Sequence, residues 1–343
     1  MQTYKTQELA NDTLNDQLLN PWGNVVDCET VFTANTGTGT ISEYKGSTLI
    51  QNILVGNGTP ITGIAINKCC SWNIANGVLS GPSYLLTASL NGQVWGYNSK
   101  VSSDAILVID NSAILDPPMY TGIAVLGKIL YLTDFKHGRV EVYEWTCYGP
   151  KLVSNNKFVD PCLPTTTTGN SYSPFNIYRF EYEVRKETHE LLFVSYAVKD
   201  PITNEPVFGE GFGLINVFST CGKFISRFAD NAPLNAPWGM TIESQRCGCF
   251  VLAVGNHGSG SIIFYDFSIK GKCRKPCFDV DCPQQAILCS GIPLIIPDIL
   301  GLTYNKHNLV YTSETGITGG ELGSYGLICK DKVIKNCHRR CKC

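Results

Sequence analysis

Two histidines stand in matching turns, Asp134-Phe135-Lys136-His137-Gly138 and Gly255-Asn256-His257-Gly258. Together with Asp134 they could form an acid–base pair or part of a metal site, because imidazole and carboxylate exchange protons and ligate cations. The same residue types also serve ordinary turns, since Asn, Asp and His tolerate a left-handed backbone. Asn35 holds the corresponding place in an earlier turn, so Asn24, Asn35, Asp134 and Asn256 could offer oxygens to a hard cation. Two tryptophans, in Pro21-Trp22-Gly23 and Pro237-Trp238-Gly239, could form an aromatic platform for a sugar or peptide, or could pack between neighbouring elements. No GxSxG, HExxH or phosphate-binding loop occurs. The expectation is a binding surface made of Trp22, Asn35, Asp134, His137, Trp238, Asn256 and His257, with no catalytic residue, metal or cofactor.

The second chemical signal is sulfur. There are 16 cysteines among 343 residues. Cys69 and Cys70 are adjacent, Cys247 and Cys249 are one apart, and Cys273, Cys277, Cys282 and Cys289 crowd one segment. Cys329, Cys337, Cys341 and Cys343 end the chain, and Cys28, Cys147, Cys162 and Cys221 are scattered. Four thiolates in a short loop can bind zinc, but the spacings lack the paired short knuckles of zinc ribbons. Disulfides are the expectation for all sixteen, with a connectivity that sequence does not determine. Such a density is rare in a reducing cytosol. Yet residues 1–20 have no basic region followed by an apolar one, as a secretory signal would. No window reaches the roughly 18 apolar residues of a membrane helix.

These residues must be positioned by a repetitive scaffold. A small-residue motif opens an apolar strand, a second apolar strand ends in Ala, Thr, Gly or Asp, and a Gly-bearing turn leads to a third ending in an aromatic. The unit recurs with openings near residues 21, 61, 121, 174, 237 and 300. Short β-branched runs between Gly/Asn turns are strands, and four-stranded units at this period are propeller blades. The predicted fold is all-β: a six-bladed β-propeller over residues 1–328, with a Cys-rich insertion at about 268–297 and a basic tail over 329–343. A fourth strand is expected at residues 105–110. Residues 2–8 belong to no blade, and are expected to add an edge strand to the last one, closing the ring. In this fold the strand openings and the turns after Asn35, Ser89, Asp134 and Asn256 share one face, around one mouth of the central channel.

The motifs NPWG at 20–23, ANTGTGT from 34, TGIA at 62 and 121, SPFNI at 173–177 and NAPWG at 235–239 resemble an uncharacterised bacterial family related to NHL-repeat propellers. The resemblance spans residues 15–328. It implies six blades and brings no activity. Calcium-dependent lactonases also use six-bladed propellers, but the Glu expected at the first inner strand is replaced here by Pro21-Trp22-Gly23-Asn24. The cysteines depart from the bacterial pattern and suggest a large DNA virus.

Composition bounds the partners. The 27 basic and 29 acidic residues leave a net charge of −2, which excludes a broadly basic, nucleic-acid-binding surface. Only the tail, with Lys330, Lys332, Lys335, Arg339, Arg340 and Lys342, could touch a few phosphates. The chain reads as a non-enzymatic, disulfide-stabilised structural module of a virion, whose partners are other proteins of the assembly. The alternatives are a secreted carbohydrate- or protein-binding propeller, and a metal-dependent hydrolase.

Overall fold

The computed structural model describes residues 2–166, 169–184, 186–245, 248–270, 276–288, 290–315 and 323–333. Among them there is no α-helix, and no helix long and apolar enough to cross a membrane. The strands form six antiparallel blades in a ring. Their inner strands are Pro21–Asp27, Ile61–Ile66, Tyr120–Leu126, Ser171–Val184, Pro237–Ser244 and Ile299–Asn305. Each opens at or close to a motif read from the sequence.

Within a blade the chain meanders outward, as in blade 1: Pro21–Asp27, Thr30–Asn35, Thr40–Lys45, Thr48–Leu54. Second strands face a neighbouring blade on each side, so Leu85–Ser89 is buried throughout. Outer strands meet water and show it: Thr48–Leu54 is exposed at all positions but Ile53. The expected fourth strand of blade 2 is Ile106–Asp110. Six apolar clusters lie one in each gap between neighbouring blades. A seventh lies on the axis.

The recurring small residue has a physical reason. Every inner strand carries a register shift at its motif, between Pro21 and Asn24, Ile61 and Ile64, Tyr120 and Gly122, Pro174 and Asn176, Pro237 and Met240, and Ile299 and Leu302. A bulge bends a strand and re-aims its side chains, which brings each inner strand against the next. A Cβ on Gly23 would stand 2.7 Å from the carbonyl oxygen of Thr62 in blade 2, and one on Gly239 would overlap the carbonyl of Leu300 in blade 6. Blade 4 has Asn176 at this place, and its Nδ2 donates to the carbonyl of Trp238 at 2.8 Å. Buried threonines link other blades: Thr62 donates to the Tyr120 carbonyl at 2.8 Å and Thr312 to that of Trp22 at 2.6 Å.

Gln2–Asn11 pairs antiparallel with Ser324–Val333 and becomes the fourth strand of blade 6, closing the ring as expected. Ser324–Val333 carries Cys329 and Lys330, which the sequence reading placed at the start of the tail. Residues 334–343, with Cys337, Cys341 and Cys343, lie outside the described residues. In the Cys-rich insertion, Cys277–Val280 and Gln284–Gln285 pair with blade 5, and Ile287–Leu288 pairs parallel to Gln2–Asn11.

The expected disulfide framework is not formed among the described residues. Cys28, Cys69, Cys70, Cys147, Cys162, Cys221, Cys277, Cys282 and Cys329 are free thiols, all exposed except half-buried Cys329. Most sit on hairpins and loops at the surface, while the interior is held by the interblade clusters. Cys249 begins the second strand of blade 5. Cys247, Cys273 and Cys289 lie outside the described residues.

Candidate functional site

The mouth of the channel, where the inner strands open, is filled by the protein's own side chains. Trp22 of blade 1 meets Trp238 of blade 5 edge-on at 6.1 Å, and Phe175 of blade 4 at 6.2 Å. Phe135, from the blade 3 turn, stacks obliquely on Phe175 at 4.8 Å, and Leu300 of blade 6 and Met119 complete the plug. Side chains from blades 1, 3, 4, 5 and 6 meet only on the axis. The indole N–H of Trp238 crosses it, donating to the Thr121 carbonyl of blade 3 at 3.1 Å. Trp238 is 4% exposed. Trp22 is half-buried, and the two tryptophans pack on each other from blades 1 and 5, which are not neighbours in the ring. Aromatic side chains combine large apolar area with edge-to-face attraction, which suits them to plugging a tapering channel.

Asn35, Asp134 and Asn256 end the second strands of blades 1, 3 and 5, and all three are fully buried. Each is engaged in its own blade. Asn35 donates to Thr40 at 3.1 Å and Ser42 at 2.7 Å. Asn256 donates to the Pro233 carbonyl at 2.8 Å and accepts from the Asn235 N–H at 3.1 Å. Buried polar groups are costly unless paired, and these satisfy the tight turn and its approach. Asp134 accepts from the backbone N–H of Met119 at 3.1 Å and from that of His137 at 3.3 Å. Among the described residues no three His, Cys, Asp or Glu side chains are placed to hold a metal ion.

The two histidines differ. His257 packs edge-on to Phe208 at 5.1 Å. Burial holds its imidazole below the usual range, against the opposing pull of Asp298. His137 lies between two carboxylates: Nδ1 is 2.6 Å from Asp134 Oδ2 and Nε2 is 2.7 Å from Asp116 Oδ2. Lys136 reaches Asp116 at 2.5 Å and the Pro117 carbonyl at 3.2 Å. Hydrogen bonds from Lys136 and His137 hold the exposed Asp116 carboxyl down at about 2. Burial pushes that of Asp134 upward, with His137 opposing. These contacts latch the 111–119 loop onto the blade 3 turn.

From Asp134 the polar chain continues onto the third strand of blade 3. Arg139 is 3.1 Å from Asp134 and 2.6 Å from Glu141 Oε1. Tyr120 donates to Glu141 Oε2 at 2.6 Å, and Asn111 donates to the hydroxyls of Tyr120 and Tyr143 at 2.8 and 2.7 Å. Burial raises the Tyr120 hydroxyl far above its ordinary value, so it remains a donor. Asp116, Arg139, Glu141 and Asn111 were not singled out from the sequence. The signal was there in Asp116-Pro117-Pro118, a carboxylate on a stiffened loop, and in the Arg139, Glu141, Tyr143 alternation. Around the latch and stopper stand apolar loop residues: Ile114, Leu115, Ile202 and Phe208 are exposed, Leu115 entirely.

No protein-family model matches the sequence. The chain is 32% identical to Uncharacterized protein R648 of Acanthamoeba polyphaga mimivirus, across 97% of this chain and 82% of that one. It is 30% identical to Uncharacterized protein L690 of the same virus, across 92% and 82%. A solved structure of a Bacteroides thetaiotaomicron protein of unknown function superposes with a TM-score of 0.52 at 12% identity, covering 94% of this chain and 72% of that one; this likeness is one of fold alone. At these identities and coverages the chain belongs to the family of mimivirus proteins that includes R648 and L690.

Proposed function

We propose that this propeller is a non-catalytic structural module of a large DNA virus particle, and that it binds another protein of the assembly through the rim of its stoppered mouth. The observation that carries the reading is the stopper itself. Trp22, Trp238, Phe175 and Phe135 occupy the axial position where a small ligand would sit, while Ile114, Leu115, Ile202 and Phe208 stand exposed around it. A filled centre with apolar side chains at its edge suits a broad macromolecular contact more than a small-molecule pocket. Asp116, Lys136 and His137 would add a charged patch beside them. Trp22, Trp238, Asn35, Asp134, Asn256 and His257 then act by holding the rim loops in place. Viral kinship supports the setting, and the exposed thiols support hardening of the surface by oxidation after folding.

The test is lysine-reactive cross-linking of washed particles of the encoding virus, followed by mass spectrometry. The expected result is this chain in the particle, with Lys136 linked to one other protein. Leu115→Asp together with Ile202→Asp is expected to lose that link while the isolated protein unfolds as before. Absence of the chain from washed particles would overturn the particle assignment. Links unchanged in the double variant would overturn the rim.

A further inference from the structure

On the face opposite the stopper, a cavity of about 390 Å³ opens between blades 2 and 3. Cys69, Cys70, Ser71, Gly127, Lys128, Trp145, Thr146 and Cys147 line it. Three thiols from two blades therefore share one cavity wall. We propose that it is a thiol–disulfide exchange site, which accepts a low-molecular-weight disulfide of the glutathione type and ends as a Cys69–Cys147 bond joining the two blades.

The loop that carries the vicinal cysteines is built rather than loose. Buried Asn67 donates to the Ser71 carbonyl at 2.8 Å and that of Ser83 at 2.9 Å, and accepts the Cys69 N–H at 3.1 Å. Ser71 and the Trp72 indole both donate to the Gly127 carbonyl of blade 3, at 2.8 and 3.1 Å. Trp72 is fully buried against Trp145 yet has a left-handed φ of +62°, a conformation that a large side chain adopts only when its surroundings impose it.

The choice of Cys69 over Cys70 follows from direction. Cys69 Sγ lies 3.7 Å from where a Cβ on Gly127 would stand, so this thiol faces the blade 3 hairpin. In that hairpin the Trp145 N–H donates to the Lys128 carbonyl at 2.7 Å, which carries Cys147 in the adjoining turn toward the same cavity. Lys128 offers a cation to the carboxylates of a peptide-like disulfide.

The chemistry closes without a further oxidant. The Cys147 thiolate attacks one sulfur of the small disulfide RSSR, forms Cys147–S–S–R and expels RS⁻. The Cys69 thiolate then attacks Cys147 Sγ and expels the second RS⁻, which takes up a proton like the first. Two protein thiols are oxidised to one disulfide, and RSSR is reduced to two RSH. Bond formation requires the two Cα atoms to reach roughly 4.4–6.8 Å.

The inference is separate from the particle assignment, since it is measured on isolated protein. Folded protein is incubated with oxidised glutathione, alkylated, and mapped without reduction. The expected product is a Cys69–Cys147 cross-linked peptide that forms at least tenfold faster than glutathione accumulates on Cys28 or Cys221, and that also forms in Cys70→Ser. In Cys69→Ser the expected product is a glutathione adduct retained on Cys147. A Cys70–Cys147 link would overturn the pairing. Independent adducts at Cys69 and Cys147, at the rate of the other exposed thiols, would overturn the site.

Discussion

Glu141 places a charge inside blade 3, 3% exposed, and three neighbours account for it: Arg139, Tyr120 and Tyr143. Removing one partner of a buried pair leaves the other uncompensated. Glu141→Ala is therefore expected to destabilise the protein by about 3 kcal/mol, the low end of such losses because Arg139 keeps Asp134 at 3.1 Å and some contact with water. Urea unfolding monitored by tryptophan fluorescence checks it, and a change below about 1 kcal/mol would show the network to be dispensable. His257 supports a pH prediction. Its folded imidazole binds a proton less readily than in the unfolded chain, so protons favour unfolding. Stability is full above the ordinary histidine range and falls as pH drops from about 6.5 toward the lowered folded value. Asp298 faces the ring and limits the effect. The stability difference between wild type and His257→Gln is expected to shift against wild type as pH falls from 7 to 5; a constant difference would refute the assignment.

Elements are where the sequence was most legible, and the reason is locality. Strand alternation, a Gly-bearing turn and a small residue at a fixed offset are all written within a few positions. The openings near 21, 61, 121, 174, 237 and 300 thus mark inner strands whose first residues pair with the ends of their second strands. What the motif does was not legible, because its contacts lie on the next blade. Gly239 meets blade 6, and Asn176 replaces glycine in blade 4 while reaching blade 5. The stopper was hidden for the same reason: Trp22 and Trp238 are far apart in sequence and meet only once the ring exists. Asp116 was missed because its role depends on where the 111–119 loop lands. At this scale Gly239→Val is expected to cost about 3 kcal/mol or more, since its side chain meets backbone rather than a movable side chain. Asn176→Gly is expected to cost about 1–2 kcal/mol through the lost bond to Trp238. Chemical denaturation of both variants checks the ranking, and equal costs would sink the close-contact account.

The ring is closed by a strand that lies far from its partner in the sequence. Gln2–Asn11 supplies the outer strand of blade 6 by pairing along Ser324–Val333. Two of its side chains do more than complete a sheet. Tyr4 is buried and stacks on Phe264 of blade 5 at 5.0 Å, while buried Ala10 joins the cluster between blades 6 and 1. The closing strand thus touches both gaps flanking its blade. Without it, Ser324–Val333 becomes an open edge, with unpaired N–H and C=O groups and uncovered apolar neighbours on either side. Such an edge is a template for pairing with other chains. Deleting residues 2–11 is expected to lower the melting midpoint by at least about 5 °C, because the unfolding entropy of 343 residues converts each kcal/mol into only about 1.4 °C, and to yield higher oligomers on size exclusion. A synthetic peptide of residues 2–11, added in trans during refolding, is expected to restore the elution of the intact chain, because most of its pairing runs along one continuous strand, Ser324–Val333. The Tyr4→Ala, Ala10→Asp peptide should pair poorly and fail to rescue. A deletion variant that elutes like the intact chain with an unchanged midpoint would mean that the ring closes through its interblade clusters alone. The terminal strand would then cover blade 6 without holding the ring together.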